Sequence, residues 1–151
     1  MRVFIGKYNA EDDRKISVKL HKYDTWNMDS TLAYIIHPML VQLKETKQGS
    51  HQVDDEDVPE NIRSTNSNIP KENYWDTDEF IHDRWNWILN EMIWAFKTIN
   101  EEWEDEFHTP PVGEWSIDNF GTVDMIGRQK VQDRMTNGFR LFGKYYQNLW
   151  D

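Results

Sequence analysis

Glu79 and His82 stand three residues apart, the spacing at which one helix contributes half of a carboxylate-bridged di-metal site. A complete centre needs that pair twice, with two further carboxylates. Asp105 with His108 is the other close match, but it falls at the far end of the same helical pattern and cannot serve one centre with the first. Glu101 with Glu104, and Glu102 with Asp105, have the spacing at which helical carboxylates hold Mg²⁺ in a nucleotide hydrolase. Such a site requires a second acidic pair on the following helix, where only Asp124 and Asp133 are available, nine residues apart. The five histidines are scattered, no serine lies in a nucleophile elbow, and no phosphate-binding loop is present. Neither a metal site nor a catalytic set is expected, nor a bound cofactor.

Cations beside aromatic rings form the more suggestive pattern. Arg84 neighbours Trp85 and Trp87, and Arg134 and Arg140 flank Asn137-Gly138-Phe139. Phe142-Gly143-Lys144-Tyr145-Tyr146 follows, with Lys144 one helical turn beyond Arg140. An aromatic plane beside a guanidinium is what a nucleobase and its phosphate need: stacking worth about 1–3 kcal/mol and a bidentate clamp. The same arginines could instead pair with Glu91 or Asp133 and tie helices together across the core. Sequence leaves both readings open.

These residues require helices to position them. Ile16, Val18 and Leu20 alternate with polar neighbours as in a half-buried strand, and Val3 with Ile5 make a weaker strand before it. With turn-forming residues Asn9 to Asp13 between them, an N-terminal β-hairpin is predicted. A first helix should begin near Met28 or Asp29, capped by Asn27 or Asp29. Its apolar stripe is Leu32, Ile35, Ile36, Met39, Leu40 and Leu43, with Pro38 inside predicting a kink that frees the Tyr34 carbonyl. Residues 48–74 read as a long, solvated loop.

A second, aromatic-rich helix is predicted from Trp75 to Phe107, opened by an acidic capping box at Asp76–Glu79. Ile81, Trp85, Ile88, Met92, Phe96, Ile99 and Trp103 form its stripe. Phe80, Trp87 and Trp94 widen the stripe beyond one face, which predicts a homo-oligomer. A third helix should start between Thr122 and Gly127, carrying Val131, Met135, Phe139, Phe142, Tyr146 and Leu149. Gly138 and Gly143 inside it imply close approach of another backbone or a ligand. The fold class expected is mainly α (α+β): three main helices packed as a bundle with a small N-terminal β-hairpin, in one domain spanning 1–151.

A chain of 151 residues can bury a substantial core, and eight Trp, seven Phe and six Tyr supply it despite the low mean hydropathy. There is no cysteine, hence no disulfide or thiolate chemistry. No stretch has the length of a membrane span, and the first residues lack the apolar core of a signal peptide, so a soluble cytoplasmic protein is expected. The net charge of −10 is unevenly spread. Residues 1–47 carry 8 basic and 6 acidic groups, residues 48–76 carry 2 and 7, residues 77–121 carry 2 and 11, and residues 122–151 carry 5 and 3. A duplex-DNA-binding protein needs the opposite in its middle.

Several strings carry a resemblance: Tyr23-Asp24-Thr25-Trp26-Asn27-Met28-Asp29-Ser30-Thr31-Leu32-Ala33, Pro38-Met39-Leu40, Val53-Asp54-Asp55-Glu56-Asp57-Val58-Pro59, Trp75-Asp76-Thr77, Arg84-Trp85, Glu91 through Phe96, and Asp133-Arg134 with Asn137 through Tyr146. Together, from residue 22 onward and excepting 108–121, the chain resembles a widespread family of small proteins of tailed bacteriophages. A further likeness is to the phage anti-CBASS sponges, which sequester the cyclic nucleotide messengers of bacterial defence. That resemblance implies an oligomeric, non-enzymatic protein of the host cytoplasm that binds a cyclic dinucleotide without cleaving it. Its expected ligand-binding set is Trp26, Arg84, Trp87, Arg134, Arg140, Lys144 and Tyr145. The alternatives are a phage accessory protein that binds a host protein, mimics nucleic acid through its acidic middle or assists assembly, and a metal-dependent nucleotide hydrolase.

Overall fold

A computed structural model describes residues 1–7, 14–69, 72–73 and 75–150. The fold is mainly α, with three helices packed against one another and a small N-terminal antiparallel hairpin. The chain divides into two compact units, Met1–Leu32 and Ala33–Asp151.

In the first unit, β1 (Arg2–Ile5) pairs antiparallel with β2 (Ile16–Lys19), setting Val3 opposite Val18 and Ile5 opposite Ile16. The turn predicted at Asn9–Asp13 lies outside the described residues. Every strand residue is exposed. Beyond β2, Asp24 accepts from the backbone N–H of His21 and pairs with the N-terminal ammonium at 2.9 Å. Tyr23 meets Trp26 edge to face at 5.2 Å. Helix α1 (Met28–Thr46) starts where the sequence places it and carries Pro38 inside.

The second unit holds the core. Ala33 and Leu40 of α1 are buried with Trp85, Ile88, Leu89, Met92 and Phe96 of α2 (Ile81–Thr98), and with Leu141 of α3 (Met125–Lys144) and Tyr145 just beyond it. At Gly138 helices α2 and α3 approach closely. A β-carbon there would lie 2.4 Å from Ala95 Cβ and 2.7 Å from the Glu91 carbonyl oxygen, so only glycine fits. Gly143 has no such neighbour among the described residues, so the approach of another backbone expected there is not seen. Asp124 caps α3, its carboxylate accepting from the N–H groups of Ile126 and Gly127.

Two elements differ from the sequence reading. Helix α2 is shorter than the predicted 75–107. It begins at Ile81 because Asp78, expected in a capping box, accepts from the Phe80 N–H and gives the rest of its carboxylate to Arg84. It ends at Thr98 because Glu101, Glu102, Glu104, Asp105 and Glu106 would crowd the negative pole of the helix; Trp103–Phe107 instead form a 3₁₀ turn. The chain then returns to α3 through β3 (His108–Thr109) paired with β4 (Thr122–Val123).

Nor is the segment between α1 and α2 a solvated excursion. It forms three single 3₁₀ turns, Asp55–Asp57, Glu60–Ile62 and Ser64–Asn66, and packs Val53, Val58 and Ile62 onto the core.

Candidate functional site

Residues 52–64 meet the C-terminal end of α3 around one buried carboxylate, Asp57, whose side chain is 4% exposed. Three donors converge on it. Arg140 donates to Oδ1 at 2.6 Å, Lys144 donates to Oδ2 at 2.5 Å, and the Tyr145 hydroxyl donates to Oδ2 at 2.6 Å. Arg140 and Lys144 are one turn apart on α3, and Tyr145 is its first residue beyond, so the helix aims all three at one point. Lys144 also reaches Asp54 at 2.6 Å, and the Tyr145 hydroxyl accepts the Asp54 N–H at 3.0 Å. Arg140 is steadied by two bonds to Asn137 Oδ1.

Electrostatics follow from that geometry. Burial raises the Asp57 pKa, but the bonds from Lys144, Tyr145 and Arg140 outweigh it and hold the carboxyl below its ordinary range. Lys144 is raised by its bonds to Asp54 and Asp57. Tyr145 is pushed up to about 12 by desolvation and by its bond to Asp57.

Two further arginines are also committed. Arg84 is buried and forks onto Asp78 with two bonds of 2.9 Å, and its Nη1 reaches the Ile62 carbonyl at 3.2 Å. Arg134 forks onto Glu91 at 3.0 and 2.7 Å, while its guanidinium lies 4.0 Å over the Trp94 ring. Of the two roles the sequence allows Arg134, the structure displays the tie to Glu91 between α2 and α3. Arg134 also occupies Trp94, part of the apolar width from which an oligomer was expected.

Of the seven residues proposed as a ligand set, the structure unites Arg140, Lys144 and Tyr145. Arg84 and Arg134 have carboxylate partners of their own, and Trp87 on α2 is partly exposed. Trp26 belongs to the first unit and is 81% exposed. Asp54, Asp57 and Asp78 were missing from the set. For Asp57 the signal was faint: it immediately precedes Val58, which packs in the core and fixes this end of the acidic run.

The described cleft beside this cluster has the opposite sign. It encloses about 540 Å³ and is lined by Asp54, Asp55, Glu56 and Glu72 together with Gln52, Val53, Ser64 and Asn73. Burial raises the Asp55 pKa, yet bonds from the Ser64 hydroxyl and N–H more than offset it, so its carboxyl stays below the usual range. Such a wall attracts a lysine or arginine side chain and repels a phosphate.

Among the described residues no group of three or more His, Asp or Glu is placed to hold a metal ion. Glu79 accepts from Ser67 and Asn68, whereas His82 bonds the Ser50 hydroxyl, so that pair does not converge. Glu104 pairs with Arg128. Among the described residues no helix is long and apolar enough to cross a membrane. Comparison with family models, curated proteins and solved structures gives no match.

Proposed function

We propose that this chain is a non-catalytic, phage-encoded accessory protein whose acidic middle engages a basic surface of a host protein. One observation carries the reading. Arg84, Arg134, Arg140 and Lys144 are each held by a carboxylate, while the cleft beside Asp57 presents Asp55, Glu56 and Glu72 besides the Asp54 that already pairs with Lys144. Residues 33–151 contain 22 acidic and 11 basic groups, so the negative excess remains after such pairing. A surface of this kind steers a basic partner into encounter and competes with nucleic acid for it.

The test is to isolate tagged protein from a bacterial host at low salt. A stoichiometric basic protein should co-purify, be displaced by added salt and by duplex DNA, and be lost from the double variant Glu56→Lys, Glu72→Lys. Retention by that variant, or indifference to salt and DNA, would contradict the reading.

Sequestration of a cyclic nucleotide is the second reading. It draws on Arg140 and Lys144, which are half-exposed beside Tyr145 and Tyr146, and on the resemblance to phage sponges. Ligand phosphates would have to replace Asp54 and Asp57 on these cations, leaving the buried Asp57 uncompensated. A thermal-shift panel of cyclic di- and trinucleotides decides: stabilisation that disappears in Arg140→Ala would support it, and no shift at high micromolar ligand would remove it.

A further inference from the structure

Strands β3 and β4 carry a loop, residues 110–121, that is fixed by its own bonds. Pro110 and Pro111 have no N–H with which to continue the ladder. Gly121 turns the chain back at a φ of 91°, where any β-carbon would lie 2.1 Å from the Thr109 carbonyl oxygen. His108 Nε2 donates to the Phe120 carbonyl at 2.8 Å, and the Asn119 side-chain amide donates to the Glu114 carbonyl at 3.0 Å. Ser116 and Asn119 exchange two backbone bonds of 3.1 Å, leaving Ile117 and Asp118 as the tip of a two-residue turn. Just before β3, Phe107 lies so close to Gly127 of α3 that a β-carbon there would sit 2.6 Å from its ring.

The side chains this ordered backbone displays are large and apolar, yet they face water. Val112 is 98% and Ile117 is 85% exposed, and Trp115 and Phe120 are each more than half exposed. Met125 and Ile126, in the first turn of α3, are exposed as well. Holding such side chains in water gains no burial within the chain, and apolar groups gathered in this way mark a contact surface. We propose that the loop is an apolar anchor, seating Trp115 and Ile117 in an apolar pocket rimmed by lysine and arginine on a protein partner.

Charge selects the occupant. Residues 101–121 hold seven carboxylates and neither lysine nor arginine, and Glu114 and Asp118 adjoin Trp115 and Ile117 directly. Lys97 pairs with Glu101 and Arg128 with Glu104, which answers two of the seven. A second copy would bring this one sign against itself, and an anionic membrane or a nucleic acid would be repelled likewise. A basic protein surface is attracted instead, and tryptophan is among the side chains that dominate such contacts once desolvated. The proposal rests on the functional reading above only in the basic character of the partner, because the acidic cleft is built from a different stretch, residues 52–73.

Photo-crosslinking of the full-length chain in a bacterial host tests the proposal, with benzoylphenylalanine placed at Ile117 or, as a control, at the exposed Gln132 of α3. Irradiation should join position 117, and not 132, to one protein, through a peptide with apolar residues beside lysine or arginine. Calorimetric binding of that purified protein should weaken about tenfold or more in Trp115→Ala and in Ile117→Glu. Gln132→Glu, the same charge away from the loop, should leave it unchanged, with circular dichroism showing every variant folded. No product, a product with a second copy, or a crosslinked peptide without basic residues would overturn the proposal, as would equal loss in Gln132→Glu. Sedimentation of the chain with phosphatidylglycerol–phosphatidylcholine vesicles, abolished by Ile117→Glu, would overturn it too by making a membrane the occupant. Ile117→Glu leaves Glu56 and Glu72 in place, and the Glu56→Lys, Glu72→Lys variant leaves the loop in place. Binding lost in the first variant alone therefore counts against the cleft, and binding lost in the second alone overturns the anchor.

Discussion

Residues 50–69 and the hairpin strands Arg2–Ile5 and Ile16–Lys19 all lie outside the three helices, and they are held in opposite ways. The first stretch has no apolar periodicity, yet Asp55 fixes Ser64, Asp57 gathers three donors from the end of α3, and Val58 and Ile62 pack into the core. The hairpin has clean alternation and regular pairing, yet each of its strand residues is exposed. Periodicity thus announces a face that needs covering without saying what covers it. A segment without periodicity can be ordered by a few side-chain bonds placed where they are shielded from water.

The comparison breaks most sharply at the buried ion pair behind the ordered segment. Asp78→Ala leaves the Arg84 guanidinium buried without its carboxylate, a loss of about 3–5 kcal/mol in urea unfolding. A loss below 1 kcal/mol would mean that Arg84 reaches solvent. Next in size is Gly138→Ala, which drives a methyl into Ala95 and the Glu91 carbonyl and should cost about 2 kcal/mol. Unchanged stability there would refute the close approach of α2 and α3.

Asp57→Asn should destabilise the unit by about 2 kcal/mol through weakened charged hydrogen bonds. The sign of the pH dependence follows. A carboxyl whose folded pKa lies below its unfolded value of about 4 contributes fully above pH 4, and that contribution fades as pH falls through the folded value. Tyr145 acts at the other end. Raised to about 12 from an unfolded value of about 10, its contribution is complete below pH 10 and is lost on rising through 12. Unfolding midpoints measured across pH should therefore show an acid slope that flattens in Asp57→Asn and an alkaline slope that diminishes in Tyr145→Phe. The smallest effect belongs to the hairpin. Ile16→Ala should change the unfolding free energy of the monomeric chain by no more than about 0.5 kcal/mol, since the side chain is largely exposed.

Helix periodicity made the three helices, the strand pairing and the glycine contact at 138 legible, because these depend on local spacing and backbone volume. The capping aspartate of α3 fell within the predicted start. What stayed hidden depends on contacts distant in sequence. Asp57 and Lys144 are separated by 87 positions, and within the acidic run only the neighbouring Val58 hints at the carboxylate that turns inward. The same blindness affected the cations: Arg84, Arg134, Arg140 and Lys144 were all recognised as unusual, but the carboxylates that hold three of them were not. Glu91 was the exception, because Arg134 had it as a named alternative partner. The end of α2 was missed because apolar spacing continues through Ile99 and Trp103 while the acidic residues beyond Asn100 oppose the helix dipole.

Native mass spectrometry of the chain isolated at low salt from a bacterial host bears most directly on the proposal that its acidic cleft engages a basic protein while Arg84, Arg134, Arg140 and Lys144 are paired with the chain's own carboxylates. The expected spectrum contains a complex with one basic protein per chain, which disappears when salt is raised. A spectrum showing the chain bound instead to a cyclic nucleotide, with no protein partner, would contradict it.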